Sequence, residues 1–166
     1  LNVLLFFKSL RLMSSKKYDI IHGHLHEGAL IGLALKKLKK IPVLFDCQGS
    51  LTGELKSHGY INEKGLKFKI FNKIEKFIAK KSDAIIASNE GVALFLKNEL
   101  NAKNVTIIED GVNTNKFHPE TKKIELNLPK NKKIIVYLGG LQQHKGVDYL
   151  IRTIPHVNEK AHFLIM

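Results

Sequence analysis

Three groups of residues combine types and spacings that could do chemistry. The first lies in the run IIVYLGGLQQHKGVDYLI, Ile134 to Ile151. There an apolar, β-rich segment enters the pair Gly139-Gly140, and a short polar loop delivers Lys145-Gly146 to an apolar-periodic stretch. A strand, a glycine turn and a lysine at a helix start suit a phosphate, because backbone N–H groups and the helix dipole point at an anion and the ammonium adds a full charge. The pattern is neither a Walker motif nor a GxGxxG fingerprint, because the lysine precedes its glycine and no Ser or Thr follows. An ordinary strand-to-helix turn with a surface lysine is the competing reading.

The second group is His22, His24 and His26, alternating at the end of an apolar run. On a strand the three side chains share one face. Histidines so placed either begin a metal site or line a cleft at the carboxyl end of a strand, and the second reading is preferred because no carboxylate or cysteine completes a ligand set convincingly. The third group is Asp46-Cys47-Gln48-Gly49-Ser50, directly after the apolar run Ile41 to Phe45. Asp46 and Gln48 are candidates to contact a ligand, since ligands gather where parallel strands end. Cys47 reads as a small buried residue rather than a nucleophile, and Ser50 stands in QGSLTG, not in the GxSxG elbow of hydrolases.

The elements that must position these groups alternate between helical and strand periodicity, the mark of an α/β sandwich with a parallel sheet. Helices are expected over about 2–14, 28–39, 63–81, the stretch following Ser88, and 145–153; strands are expected at about 19–25, 41–45, 83–87, 105–108, 133–138 and 161–166. Ser88 is the expected cap of its helix, and residues 47–60, rich in Gly, Ser and Thr, read as a loop. Residues 113–131 show little periodicity and are placed as an interdomain linker, which divides the chain into a domain over 1–112 and the start of a second over 132–166. A strand–helix–strand unit alone buries little, so the second segment is expected to continue or to lean on the first.

The net charge is +12, and nearly all of the 27 basic residues are lysines, Arg11 and Arg152 being the only arginines. Sequence-specific nucleic-acid readers lean on arginine forks and stacking aromatics, and tryptophan is absent, so no nucleic-acid partner is expected. The charge suits phosphates, anionic substrates or acidic lipid surfaces. The helix expected over 63–81 carries Lys64, Lys67, Lys69, Lys73, Lys76, Lys80 and Lys81 around an apolar stripe, which reads as a core-packing helix with a solvated basic face or as a membrane-surface element. One cysteine excludes an internal disulfide and a cysteine zinc cluster, and no apolar run has the length of a membrane span. The opening LNVLLFF is short and lacks a cleavage-site pattern, so it is not read as a signal peptide. None of the five aspartates forms an Asp-x-Asp pair, which argues against transferases that hold a nucleotide through a cation between two aspartates.

In order and spacing, several segments over residues 19–166 resemble the retaining glycosyltransferases of family four. Asp19-Ile-Ile-His-Gly-His looks like that family's D-V-V-H-x-H strand, and Ser82-Asp83-Ala-Ile-Ile-Ala-Ser88 like its A-D-x-V-I-A-x-S segment. Ile108 to Pro119 is similar to I-P-N-G-V-D-x-x-x-F-x-P, and Val136-Tyr-Leu-Gly-Gly-Leu with Lys145-Gly146 and Leu150-Ile151 resembles V-G-R-L…K-G…L-I. The resemblance implies a partial GT-B fold: a Rossmann-like parallel sheet with flanking helices on the acceptor side, then the first strand–helix–strand of a second Rossmann-like domain. It implies transfer of a sugar from a nucleotide-sugar donor to a glycan or lipid-linked acceptor, with retention and with no cofactor or obligatory metal. It places Lys145, with Gly139 and Gly140, on the donor phosphates, and Gly111 and Asn113 at the interdomain hinge and cleft. His24, Asp46 and Gln48 become the catalytic candidates. A cytoplasmic protein is implied, peripheral at the inner face of an anionic membrane.

Departures from the family pattern are specific. Gly140 stands where the family has an arginine, Gln48 where a histidine is often found, and Glu109-Asp110 where it has Pro-Asn. The family's first strand is expected before Leu1, and its acidic donor motif after Met166. Rival readings are a non-hydrolysing sugar-nucleotide epimerase of the same architecture and a non-catalytic, membrane-associated binding subunit.

Overall fold

The computed structural model describes residues 2–122, 126–142, 145–157 and 159–166. The chain divides into two units, Leu1–Gly111 and Val112–Met166.

The first unit holds a four-stranded parallel sheet, β1 Ile21–His24, β2 Val43–Cys47, β3 Ala84–Ala87 and β4 Val105–Ile107, in the order β1-β2-β3-β4. Parallel neighbours need crossovers, and helices supply them. These are α2 (Leu25–Lys39) between β1 and β2, α3 (Leu51–Ser57) and α4 (Leu66–Lys81) between β2 and β3, and α5 (Glu90–Asn98) between β3 and β4; α1 (Asn2–Ser15) precedes the sheet. Val43, Phe45 and Cys47 alternate into the core beside Ile85 and Ala87 of β3. Leu33 from α2, Ile78 from α4 and Leu96 from α5 close over them. The sheet is therefore the α/β, Rossmann-like arrangement that the alternating periodicity predicts.

Two local structures differ from the sequence expectation. The Gly/Ser/Thr stretch after Cys47 contains α3, because Ser50 accepts from the Gly53 amide at 3.0 Å and caps it. The buried Glu75 of α4 completes that cap by taking the Leu51 amide at 2.7 Å and the Thr52 hydroxyl at 2.8 Å. Seven residues would not hold a helix alone; this tertiary carboxylate on the exposed amides does it. At α5 the cap is Asn89 rather than Ser88, its side chain accepting from the Val92 amide at 3.0 Å.

The second unit pairs β5 (Lys133–Tyr137) with β6 (Ala161–Ile165) in parallel, joined through α6 (Val147–Thr153) and a 3-10 turn, Ile154–His156, that holds Pro155. Residues 123–125 of the expected linker and 143–144 of the loop before Lys145 lie outside the described residues. Among the described residues of this unit, Val147 alone joins the buried apolar set.

Candidate functional site

The carboxyl ends of β1 and β2 meet in register, with His24 opposite Asp46. β2 alternates, so with Phe45 and Cys47 buried, Asp46 falls on the open face and stays only 16% exposed beneath its partners. His22 Nε2 stands 3.3 Å and His24 Nδ1 3.0 Å from the same oxygen, Asp46 Oδ2, while Gln48 Nε2 donates to Oδ1 at 2.8 Å. An ionised carboxylate only accepts, so the two rings donate to it through different nitrogens. This fixes opposite tautomers and leaves His22 Nδ1 and His24 Nε2 with lone pairs and no partner among the described residues. Burial pulls the Asp46 carboxyl up, but the hydrogen bonds from His24, Gln48 and His22 outweigh it and hold the group below the ordinary aspartate range. The result is an anchored anion presenting two oriented imidazoles, which are more than half exposed.

The chain reaches this geometry through a sharp corner. Leu25 follows His24 at φ 58°, the left-handed region a branched side chain avoids, so the junction from β1 into α2 is strained. Gly23 permits it: a Cβ there would come within 2.5 Å of the Ala29 backbone, so only glycine lets α2 pack this closely on β1.

His26 corrects the expectation of three histidines on one strand face. β1 ends at His24, and His26 turns inward with α2, 7% exposed, its ring 5.1 Å from that of Phe45. Its Nε2 lies 3.5 Å from Glu75 Oε1, at ion-pair distance but without hydrogen-bond geometry. Burial raises the Glu75 carboxyl, yet the His26 ring, the Thr52 hydroxyl and the Leu51 amide together hold it below the ordinary glutamate range. Glu75 was missed in the sequence because it sits in a lysine-rich helix, where a single acid reads as a surface residue. Among the described residues no three of His, Cys, Asp and Glu gather to hold a metal ion. Cys47 is buried, and its thiol is pushed up to about 11, chiefly by that burial, which leaves it a core residue and not a nucleophile.

The other candidates lie in the second unit or at its boundary. Lys145 is exposed, its amide bonded to the Gln142 carbonyl at 2.9 Å, and Gly146 caps α6 at φ 68°. The Gly139 amide is engaged by the Met166 carbonyl at 3.2 Å, and the Gly140 carbonyl accepts from Tyr137 Oη at 2.7 Å. Gly139 therefore offers a missing side chain rather than a free N–H. Gly111 closes the first unit, a Cβ there meeting nothing within 4 Å, and Asn113, the second residue of the other unit, is a turn-former, its Oδ1 accepting from the Asn115 and Lys116 amides. The structure thus assembles His24, Asp46 and Gln48, adds His22 to them, and leaves Lys145, Gly139 and Gly140 as a separate group on the second unit.

A parallel sheet flanked by helices, with a polar rim at its carboxyl ends, places the first unit in the Rossmann-like α/β class. Residues 1–116 match the family model described as Glycosyltransferase Family 4, and the chain belongs to that family. It is similar to the D-inositol 3-phosphate glycosyltransferase of Corynebacterium diphtheriae, 24% identical over 154 residues that cover 87% of this chain and 35% of the relative. The protein of the same name from Corynebacterium aurimucosum is 22% identical over 151 residues, 86% of this chain and 35% of its own. The chain spans about a third of the length of these curated relatives. Among the described residues no helix is long and apolar enough to cross a membrane.

Proposed function

We propose that this chain serves transfer of a hexose-like residue from a nucleotide-sugar donor to a hydroxyl of a glycan or lipid-linked acceptor, with retention at the transferred carbon. The observation that carries the reading is the clamped Asp46 holding His24 with Nε2 open to the rim. In this role His24 accepts a hydrogen bond from the acceptor hydroxyl and orients it, while Asp46 and Gln48 fix the ring's tautomer and direction. The donor's bond from sugar carbon to phosphate oxygen breaks, the acceptor oxygen forms the new bond, and the acceptor's proton passes to His24 Nε2. Lys145 is the cation assigned to the departing diphosphate, where its charge counts most as negative charge develops. With Gly140 in place of an arginine, Lys145 carries that role without a second cation from the loop. Neither group requires a metal ion in this account.

The net charge of +12 favours a phosphorylated acceptor, and the names of the two relatives make inositol phosphate the first to try. A cytoplasmic position against an anionic membrane surface belongs to the same reading. The test uses the full-length polypeptide that contains these residues, with UDP-, GDP- and ADP-hexoses, and inositol phosphate or lipid-linked acceptors. Product should appear only with both substrates, and its anomeric configuration should match the donor's. Asp46→Asn should lower kcat about 100-fold with donor affinity unchanged, since the His24 tautomer is no longer imposed. Product formed from donor alone would identify an epimerase and overturn the reading.

A further inference from the structure

The apolar stripe of α4 is wider than the part the core covers. Glu75, Ile78 and Ala79 are buried, and with the partly buried Ile74 they pack toward the sheet and α3. Along the adjoining edge of that stripe Leu66 is 74% exposed, Ile70 48% and Phe77 39%. At helical spacing these three fall within an arc of about 40°. All six lysines of the helix, Lys67, Lys69, Lys73, Lys76, Lys80 and Lys81, are exposed around that arc, and its one acid is the buried Glu75. A solvated face would carry lysines without the apolar line, and a core face would have its apolar line covered.

The line runs into a groove of about 690 Å³ at the C-terminal ends of α2 and α4. Phe77, Ile41 and Pro42 give it an apolar floor, and Lys37, Lys40 and Lys81 stand around it. None of these three lysines has a carboxylate partner among the described residues, whereas Lys36 beside them is taken by Asp83 at 2.6 Å. Lys40 is also held at φ 56°, at a helix end where glycine would sit without strain. A cation therefore stands at this spot at a conformational cost, although no carboxylate among the described residues pairs with it.

We infer that the outer face of α4 and the groove at its C-terminal end form a docking surface for an anionic lipid bilayer, with Leu66, Ile70 and Phe77 entering the headgroup boundary and the surrounding lysines meeting lipid phosphates. Charge complementarity selects an anionic occupant, and the apolar line selects a bilayer. A nucleic-acid rod rewards lysines but gives no return for three exposed apolar side chains between them. The inference rests on the membrane-facing part of the proposed function, but vesicle binding is read without sugar transfer, so the two fail separately.

The experiment is co-sedimentation of the 166-residue chain with vesicles of phosphatidylcholine alone and of phosphatidylcholine with phosphatidylglycerol. Binding is expected to the mixed vesicles only. Lys69→Glu with Lys73→Glu should weaken it about tenfold or more, because each lysine near a charged surface acts nearly independently. Leu66→Ser with Ile70→Ser should also weaken it severalfold and make the remainder disappear in high salt, since only the electrostatic part would survive. Lys40→Gly relieves strain, so it cannot act by unfolding, and should still weaken binding about threefold. A control pair on other helices of the first unit, Lys8→Glu on α1 with Lys97→Glu on α5, changes net charge equally and should leave binding within about twofold. Absence of binding by the unmodified chain, equal binding to neutral vesicles, or equal loss in the control pair would overturn the docking surface.

Discussion

The rim of the four-stranded sheet and the glycine–lysine loop of the second unit both offer polar groups after a parallel strand, yet they are built differently. At the rim every functional side chain is held by another: Asp46 by Gln48, the two histidines by Asp46, and the start of the next helix by the buried Glu75. Beneath them lies a core that includes Phe45, Cys47 and Ile85 at 2% exposure or less. In the second unit Lys145 is exposed, β5 is mostly exposed, and among the described residues the glycine pair is tied only to Tyr137 and Met166. The first is pre-organised before any ligand arrives, and its groups can act at fixed geometry. The second supplies charge and clearance, and a ligand must supply the order. Changes at the rim should therefore register in stability, and changes at the loop in binding.

The largest effect is expected at Glu75. Glu75→Gln keeps the shape but offers one acceptor oxygen where two now receive the Leu51 amide, the Thr52 amide and the Thr52 hydroxyl. An amide group would face one of these donors, so a loss of about 2–3 kcal/mol is expected in urea unfolding followed by circular dichroism. The pH dependence carries a sign. Because Glu75 is held below its ordinary range in the folded chain, its contribution is complete above that range and is lost as pH falls through the lowered value. The gap between parent and variant should therefore close as pH falls from the ordinary glutamate range through the lowered value. A gap that stays constant over that interval would mean the carboxylate's charge is irrelevant to the cap.

These constraints also show what a sequence can carry. The sheet was legible because Val43, Phe45 and Cys47 alternate and Ile85 and Ala87 repeat the pattern, so period and burial agree. The rim trio was legible as three rim residues, since strand ends in parallel sheets converge. The inward turn of His26 was not, because it depends on one backbone angle at Leu25 that starts the helix three residues earlier than the periodicity suggests. α3 was hidden for a different reason: half of its cap is Glu75, 24 residues away from Leu51. Asp83 reads as a family motif position, but it works as a tie, accepting from the Val43 amide at 2.7 Å and pairing with Lys36. Long-range partners of this kind have no signature in a local window.

A smaller and opposite effect is expected at Leu25. Glycine there removes the clash of a side chain in the left-handed region, worth about 1–2 kcal/mol, and gives part of it back through a more flexible unfolded chain. Leu25→Gly should stabilise the first unit by about 0.5–1 kcal/mol in the same urea experiment. If the strain serves to aim His24, transfer by the full-length protein should fall while stability rises, a split that a purely structural corner would not produce.

The smallest effect on stability belongs to Gly140, and it tests the other side of the comparison. The three atoms nearest a Cβ built there all belong to the end of the Gln142 side chain, which can swing away, and the residue does not lie in the left-handed region. Gly140→Ala should therefore shift the unfolding of the chain by no more than about 0.5 kcal/mol. Its expected consequence is on the ligand. If the glycine pair serves to let the backbone approach the donor phosphates, a methyl group there should weaken UDP, GDP or ADP binding severalfold, measured by calorimetry on the full-length protein. Lys145→Ala should weaken it further, through loss of the charge. Unchanged nucleotide affinity in Gly140→Ala alongside a loss in Lys145→Ala would reduce the loop to a single cation and leave its glycines as ordinary turn residues.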